Sequence, residues 1–455
     1  MGLSIVILAA GQGTRMRSNR PKVLQPLAGR PLLGHVLDSA AALQADDVCV
    51  VFGHGGDTVP AAFPDPHIRW ALQAEQLGTG HAAQQAAPDI PDGNRVLILA
   101  GDVPLLTVTT LETLLRQTPD GDMAVLTVDM PDPSGYGRIV RKDGSVLAIV
   151  EQKDANDDER RIGEINTGVI LCPGNSLKDW LARLSNDNSQ GEYYLTDIIA
   201  MAVADKVTVH GIKAGSSQEV MGINDKKQLA EAERALQARR VETLMKEGVG
   251  FADPARVDIR GTLTCGKDVF IDVNAVFEGD VELGDGTIIE SNNLIRDSRL
   301  GPKTLVHSNC HIEGATTGAA CEIGPFARLR PGAELADKVK IGNFVEVKKS
   351  SIADGSKVNH LTYIGDAEIG TGVNVGAGTI TCNYDGVNKH RTVIGDNASI
   401  GSNVNLVAPV SVGSGATIGA GSTISKNAPA DELTVARSKQ TTIPGWSRPV
   451  KKEKK

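Results

Sequence analysis

An α/β domain, then a long charged helix, then a left-handed parallel β-helix is the fold class that this 455-residue sequence predicts. Three observations carry it. Up to about Asn224, short apolar runs alternate with longer amphipathic ones, the pattern of an open, mostly parallel sheet with helices between its strands. From Asp225 to Gly248 the chain is charged and helical in period, with Leu229, Leu236 and Leu244 on roughly one face and a glycine at its end. After Gly250 the apolar residues recur every six positions. The expected division is residues 1–227, a helical linker at 228–250, and a β-helix at 251–455.

The first strand, IVILAA, runs from Ile5 into a glycine-rich turn at Gly11 and Gly13. Two phosphate-cradling patterns are excluded there. Thr14, Arg15 and Met16 follow Gly13, so the third glycine of a dinucleotide fingerprint is missing, and no Gly-Lys-Ser/Thr follows. What survives is a tight turn whose backbone N–H groups can wrap an anion, with an arginine close by. Further along, DDVCVVFG, NRVLILAGDVPLL and GDMAVLTVDM read as buried strands, and PLLGHVLDSAAALQ and GTGHAAQQAA as helices. Ligands of such sheets gather at the carboxyl ends of the strands. Gly11 and Gly13 follow one such end, and Gly101 and Asp102 follow another.

In the last third, the six-residue period runs through Ile271, Phe277, Leu283, Ile289 and Ile295. It returns at Ile323, Leu329, Leu335, Ile341 and Val347, and again from Ile394 through Ile400, Leu406, Val412 and Ile418 to Ile424. Three hexapeptides make one triangular coil, with the aliphatic positions stacked inward. The spacing falls to five between Val347 and Ile352 and between Ile364 and Ile369, which marks corners or loops. The longest break, TCNYDGVNKHRT from Thr381 to Thr392, is polar and predicts a projecting loop.

Composition narrows the function. Aromatic residues make up 3% while glycine counts 50, which agrees with many small turns. A net charge of −8 argues against general nucleic-acid affinity, although anionic substrates can bind where Lys and Arg gather. The six cysteines show no C-x-x-C spacing, so neither a zinc site nor a redox pair is expected; they read as buried residues of a reducing compartment. IVILAA is too short to span a membrane and lacks a basic flank, and Val6 stands where myristoylation of Gly2 requires Ser or Thr. The expectation is a cytoplasmic protein with no membrane partner and a solvated, disordered KKEKK tail.

An ordered set of short segments then carries a resemblance. LAAGQGTRM with Pro21-Lys22 comes first, followed by QAEQLGTGHA, AGDVP, GYGRI, EQKDA, INTGV and GEYYLTD. Within the hexapeptide region come NHLTYIGD and GAGTITCNYDG. Together they resemble the GlmU family of bifunctional enzymes over nearly the whole chain. The resemblance implies an α/β nucleotidyltransferase (Rossmann-like) domain and an acetyltransferase β-helix. It also implies an enzyme that acetylates glucosamine 1-phosphate with acetyl-CoA and then transfers UMP from UTP, supplying a cell-envelope precursor.

The same resemblance implies roles for residues. Leu8, Ala9, Ala10 and Gly11 hold the uridine nucleotide, Arg15 and Lys22 meet its phosphates, and Gln73 with Gly78 and Thr79 reads the uracil. Gly101 and Asp102 close the strand end, and Asp102 with Asn224 holds Mg2+. Gly137, Glu151 and Asn166 position the sugar. In the second half, His360 is the catalytic base. Arg330, Lys348, Tyr363 and Asn374 hold glucosamine 1-phosphate, and acetyl-CoA lies against Ala377, Asn383, Tyr384, Ser402, Ala420 and Arg437. A homotrimer is implied, with the acetyl-transfer site shared between subunits. Lys and Arg suit the negative charge gathered at phosphorus, Gln offers a donor and an acceptor to a pyrimidine edge, and imidazole suits proton removal near neutrality. Taken singly these residues carry little: His360 is one of nine histidines. Two other classes stay open at this point, a single-activity sugar nucleotidyltransferase with a structural or regulatory β-helix and a noncatalytic sugar-nucleotide sensor.

Overall fold

The computed structural model of the chain describes residues 2–451 and divides into two compact units, Met1–Arg239 and Arg240–Lys455. Of the KKEKK tail, residues 452–455 lie outside the described residues. The division falls inside the helix Lys226–Lys246. Its leucines, which share a face in the sequence, serve different cores. Leu229 and Leu236 pack beside Met16, Leu27, Leu32 and Leu105 in the first unit, and Leu244 joins the apolar interior of the second.

In the first unit the central sheet runs in the order Val209–Lys213, Met123–Asp129, Glu164–Pro173, Arg95–Ala100, Leu3–Leu8, Asp47–Phe52 and Ile68–Leu72. Neighbours along this path are parallel except at Glu164–Pro173, which runs antiparallel to both of its neighbours. Helices cover both faces, so the central strands are apolar at every position rather than at alternate ones. Ile5, Ile7, Leu97 and Leu99 enter one core, while Val6, Val96 and Ile98 enter the other.

In the second unit the strands stack in parallel register, coil on coil. Ile271 pairs with Ile289, Ile289 with Val306, Val306 with Ile323 and Ile323 with Ile341. Each step advances 17 or 18 residues, three hexapeptides or one residue fewer, which accounts for the five-residue spacings. Every aliphatic residue of the six-residue period is buried, so the coil is filled by a continuous pile of Ile, Leu and Val with Phe277 near its start. Between Val375 and Ile400 the step lengthens to 25, and the surplus forms the expected loop. Tyr384 to Lys389 are exposed and closed by a bridge between those two residues, while the loop's ends at Thr381 and Thr392 are buried.

This pile sets the unit's stability. Leu329→Ala, at a fully buried position, lowers the unfolding free energy by about 2–5 kcal/mol in a denaturant titration. Ile288→Ala, on an outward-facing position 42% exposed, costs less than about 1 kcal/mol. Equal effects at the two positions would contradict an inward-stacked interior.

Candidate active sites

A cavity of about 370 Å³ opens at the carboxyl ends of the parallel strands of the first unit. It exists because two strands end together: Leu8 pairs with both Ala100 and Val51, and Gly101 N–H donates to the Leu8 carbonyl at 2.9 Å. Leu8, Ala9, Ala10 and Gly11 form one wall, Gln73, Gly78 and Thr79 a second, and Glu151 with Asn166 a third. A side chain at Gly11 would meet no protein atom within 4 Å, so the space beside it is open cavity. Gly13 differs: its φ is +61°, and a Cβ there would stand 2.6 Å from Lys22 Cβ. The glycine lets the Lys22 stem lie against the turn.

Three distant parts of the chain meet at the cavity's charged end. Lys22 Nζ donates to Asp102 Oδ2 and, at 3.2 Å, to Asn224 Oδ1. Asn224 is brought there by the Ile223 N–H, which donates to the Asp102 carbonyl at 2.9 Å. Lys22 and Asp102 are largely buried, with side chains 12% and 19% exposed, so the pair is only partly screened by water. Two oxygens thus converge on one cation. Arg15 stands apart: it is exposed and lines a separate groove with Asp225, Lys226 and Lys227. Gly101 and Gly137 are not on the wall either. The Gly137 carbonyl accepts from Asn166 N–H at 2.9 Å, and a Cβ on Gly137 would press Ile149 at 2.8 Å.

Glu151 receives a hydrogen bond from the Thr196 hydroxyl at 3.0 Å. Burial holds its carboxyl above the ordinary range, Asp197, Asp154 and Glu192 push the same way, and the Thr196 bond opposes them. Gln76, Glu192 and Thr196 also line the cavity; they lie in QAEQLGTGHA and GEYYLTD, but the sequence reading gives them no role of their own.

In the second unit one column of residues repeats at the same corner of successive coils. Leu361 N–H donates to the Asn343 carbonyl, Gly378 N–H to that of His360, Asn403 N–H to that of Ala377 and Gly421 N–H to that of Ser402. Asn343, His360, Ala377 and Ser402 therefore stack, and Ala420 follows at the same register, its carbonyl accepting from Arg437 Nη1 at 2.7 Å. His360 is exposed, and its Nδ1 lies 2.7 Å from Asn343 Oδ1. With the amide oxygen as partner, Nδ1 carries the proton and Nε2 is left as the basic nitrogen. Asn343 precedes His360 by one coil of 17 residues, so the repeat itself holds the signal that would have found it.

Past the turn at Leu361 and Thr362, cations collect on the next face. Arg330 Nη1 donates to Glu346 Oε1 at 2.8 Å, and Glu346 pairs in register with Tyr363. Lys389, from the exposed loop, and Arg330 hold the Lys348 ammonium below its ordinary range. Lys389 sits in no motif, and only the fold brings it to Lys348. Asn374 stands exposed between Lys357 and Ser399 in its ladder. Asn383 donates through Nδ2 to Asp366, and Tyr384 is 59% exposed beside it.

Two family profiles match the chain. That of the MobA-like NTP transferase domain covers residues 5–195, and that of the bacterial transferase hexapeptide, six repeats, covers residues 391–426. The chain is 58% identical over 452 residues to the bifunctional protein GlmU of Aromatoleum aromaticum, covering 99% of both chains. It is 56% identical to the bifunctional protein GlmU of Herminiimonas arsenicoxydans over 452 residues and to that of Azoarcus sp. over 450, covering 99% of this chain and 100% of each relative.

The raised carboxyl of Glu151 has a measurable sign. A folded state that holds this proton more tightly than the unfolded chain loses stability as pH rises from the ordinary carboxylate range through the folded value. Glu151→Gln removes that loss, so the variant melts higher than the parent at neutral pH, and the gain shrinks in acid. A variant that melts lower at neutral pH would show Glu151 to be a stabilising charge.

Proposed function

The chain belongs to the family of bifunctional GlmU proteins, and we propose that it divides their two reactions between its two units. The β-helix unit acetylates glucosamine 1-phosphate with acetyl-CoA. The α/β unit then joins N-acetylglucosamine 1-phosphate to UMP from UTP, giving UDP-N-acetylglucosamine and pyrophosphate. The observation that carries this reading is that a single chain holds two sites of different chemistry, one where two oxygens converge on the Lys22 ammonium at the strand ends and one where Lys389 and Arg330 crowd Lys348 on the face next to an exposed imidazole.

In the β-helix unit, Arg330, Lys348 and Lys389 receive the sugar phosphate, with Tyr363 and Asn374 beside it. The amine attacks the thioester carbonyl of acetyl-CoA, and His360 Nε2 takes its proton while Asn343 holds the ring by Nδ1. Ala377, Ser402 and Ala420 give acetyl-CoA a flat, small-residue wall one coil after another, with Arg437, Asn383 and Tyr384 at its margins. The phosphate of the product already carries negative charge, so the second reaction needs no general base. Its oxygen attacks the α-phosphorus of UTP in line, and pyrophosphate leaves.

In the α/β unit, Ala10 and Gly11 hold the nucleotide, Gln73 reads the uracil, and Glu151 and Asn166 hold the sugar, with the Gly137 carbonyl fixing Asn166 by accepting from its N–H. Lys22 faces the triphosphate, and Arg15, exposed outside the cavity, has to turn inward to reach it. Asp102 and Asn224 fit a Mg2+ ion: their oxygens already share one cation in Lys22 Nζ, and two protein oxygens suit a metal that keeps waters and phosphate as its other ligands. Held there, such an ion would supply positive charge against the charge that develops on the phosphates.

The enzyme is cytoplasmic and trimeric in this reading. Nucleotide and thioester substrates and six free cysteines support the first; among the described residues no helix is long and apolar enough to cross a membrane. The second is supported by an apolar column flanking His360. Phe326 and Phe344 stack at 5.3 Å, and with Leu361 they lie 49%, 56% and 62% exposed, a surface that a second copy would cover.

Substrate omission in a coupled assay on the full chain tests the division directly. His360→Ala lowers acetyl transfer by about 10²- to 10⁴-fold and leaves uridylyl transfer near the parent value, whereas Asp102→Asn does the reverse. Either variant abolishing both activities, or neither, would contradict the assignment. The double variant Phe326→Asp, Phe344→Asp shifts the mass in light scattering from trimer toward monomer and takes acetyl transfer with it. A trimer of unchanged mass would remove this surface from the interface.

A further inference from the structure

The wall that faces the base is finished by a residue that does not touch the cavity. Gln73 follows the strand Ile68–Leu72, and its backbone is pinned by the hydrogen bond from its N–H to the Phe52 carbonyl at 2.7 Å. Its side chain lines the cavity while the residue is only 3% exposed. Nε2 donates to the Gly78 carbonyl at 3.1 Å and approaches His81 Nδ1 at 3.1 Å. A carbonyl can only accept, so the Gly78 contact fixes the amide with nitrogen inward and oxygen toward the cavity. It follows that His81 Nδ1 is the acceptor of the second amide proton, and that the His81 proton sits on Nε2. Both protons of Gln73 are then spent inside the protein. Where the sequence reading gives Gln73 a donor and an acceptor for the base, the folded chain leaves only Oε1.

His81 is itself held in place. It lies in the first turn of the helix Thr79–Ala86, which starts at Gly78 with φ +115°; a Cβ at Gly78 would stand 2.5 Å from the Tyr193 carbonyl. Gly80 N–H donates to that same carbonyl at 2.7 Å, and the imidazole packs on the Tyr193 ring at 6.3 Å with the planes tilted by 35°. The ring therefore cannot turn its other nitrogen to Gln73 without losing its packing.

We propose that His81 is a positioning residue that selects the pyrimidine. By accepting from Gln73 it makes the amide a pure acceptor toward the nucleotide. Uracil carries a proton on N3 and satisfies Oε1, whereas cytosine presents a lone pair there and leaves two acceptors facing each other. A buried acceptor left without a donor is costly, and sites built around one hydrogen bond reject the analogue that lacks it. Without the His81 acceptor, one buried amide proton loses its partner and only the Gly78 carbonyl still holds the nitrogen inward, so the amide oxygen is aimed at the base less firmly. This inference rests on the reading of Gln73 as the uracil contact.

The test is steady-state uridylyl transfer by the full chain with Mg2+ and N-acetylglucosamine 1-phosphate, comparing kcat/KM for UTP with that for CTP. His81→Phe and His81→Leu, which keep apolar packing and remove the acceptor, lower the UTP-over-CTP ratio by about 10- to 100-fold, mostly through the KM for UTP. His81→Asn, whose Oδ1 falls near the place of Nδ1, restores most of the ratio. Loss of activity in equal measure on both nucleotides, in whichever apolar variant folds, would overturn the proposal and leave His81 a packing residue. Gln73→Ala separates the two readings. If it collapses the ratio while both apolar His81 variants keep it, only the role of His81 falls. If it leaves the ratio intact, the uracil contact itself falls, and this inference with it.

Discussion

Parallel pairing in register is the constraint on which both halves of this molecule depend. In a parallel ladder, residues at equal positions on neighbouring strands lie side by side, so whatever follows one strand end follows the next. The Leu8 to Ala100 pairing sets the glycine turn after one strand against Gly101 and Asp102 after the other. In the β-helix the same rule acts along the whole stack. It piles aliphatic residues inward, and at one corner it lines up Asn343, His360, Ala377 and Ser402. A ligand lying along that corner would meet the same register position in each coil.

Electrostatics separates the two sites. Lys22 is neutralised by Asp102, a close and largely buried pair whose disruption would strand one charge in a poorly solvated place. Around Lys348 the balance is reversed: Lys389 and Arg330 crowd it, and the strain shows as an ammonium that gives up its proton more readily than usual. An arrangement of like charges costs stability unless an anion joins it. The first site can thus exchange one cation for another, and the second would be relieved by an added anion. Glu151, buried among other carboxylates, is a third case, in which the protein holds a hydrogen-bonding group at some expense of stability.

Much of this was legible in the chain. The six-residue period named the inward residues correctly from Ile271 to Ile424, because a repeat that cannot bury its apolar face alone must place it the same way in each coil. The strands of the first unit were legible for a related reason: sheets covered on both faces need continuous apolar runs. Side-chain pairings were not legible. Lys22 next to Asp102 and Asn224, and Lys389 next to Lys348, join residues whose separation along the chain is set by loops without periodic pattern. The exposed position of Arg15, away from the wall formed by Leu8 to Gly11, is likewise a matter of how the short turn Thr14–Met16 leaves the strand. Asn343 lies between these cases, since the 17-residue coil step points to it once His360 is chosen.

The measurement that bears most directly on the account is a crystal structure of the full chain soaked with UDP-N-acetylglucosamine and CoA. The account predicts the uridine against Ala10, Gly11 and Gln73 at the strand ends, and CoA along the column from Ala377 to Ala420. Nucleotide bound on the opposite edge of the sheet, or CoA on a face of the coil away from His360, would contradict it.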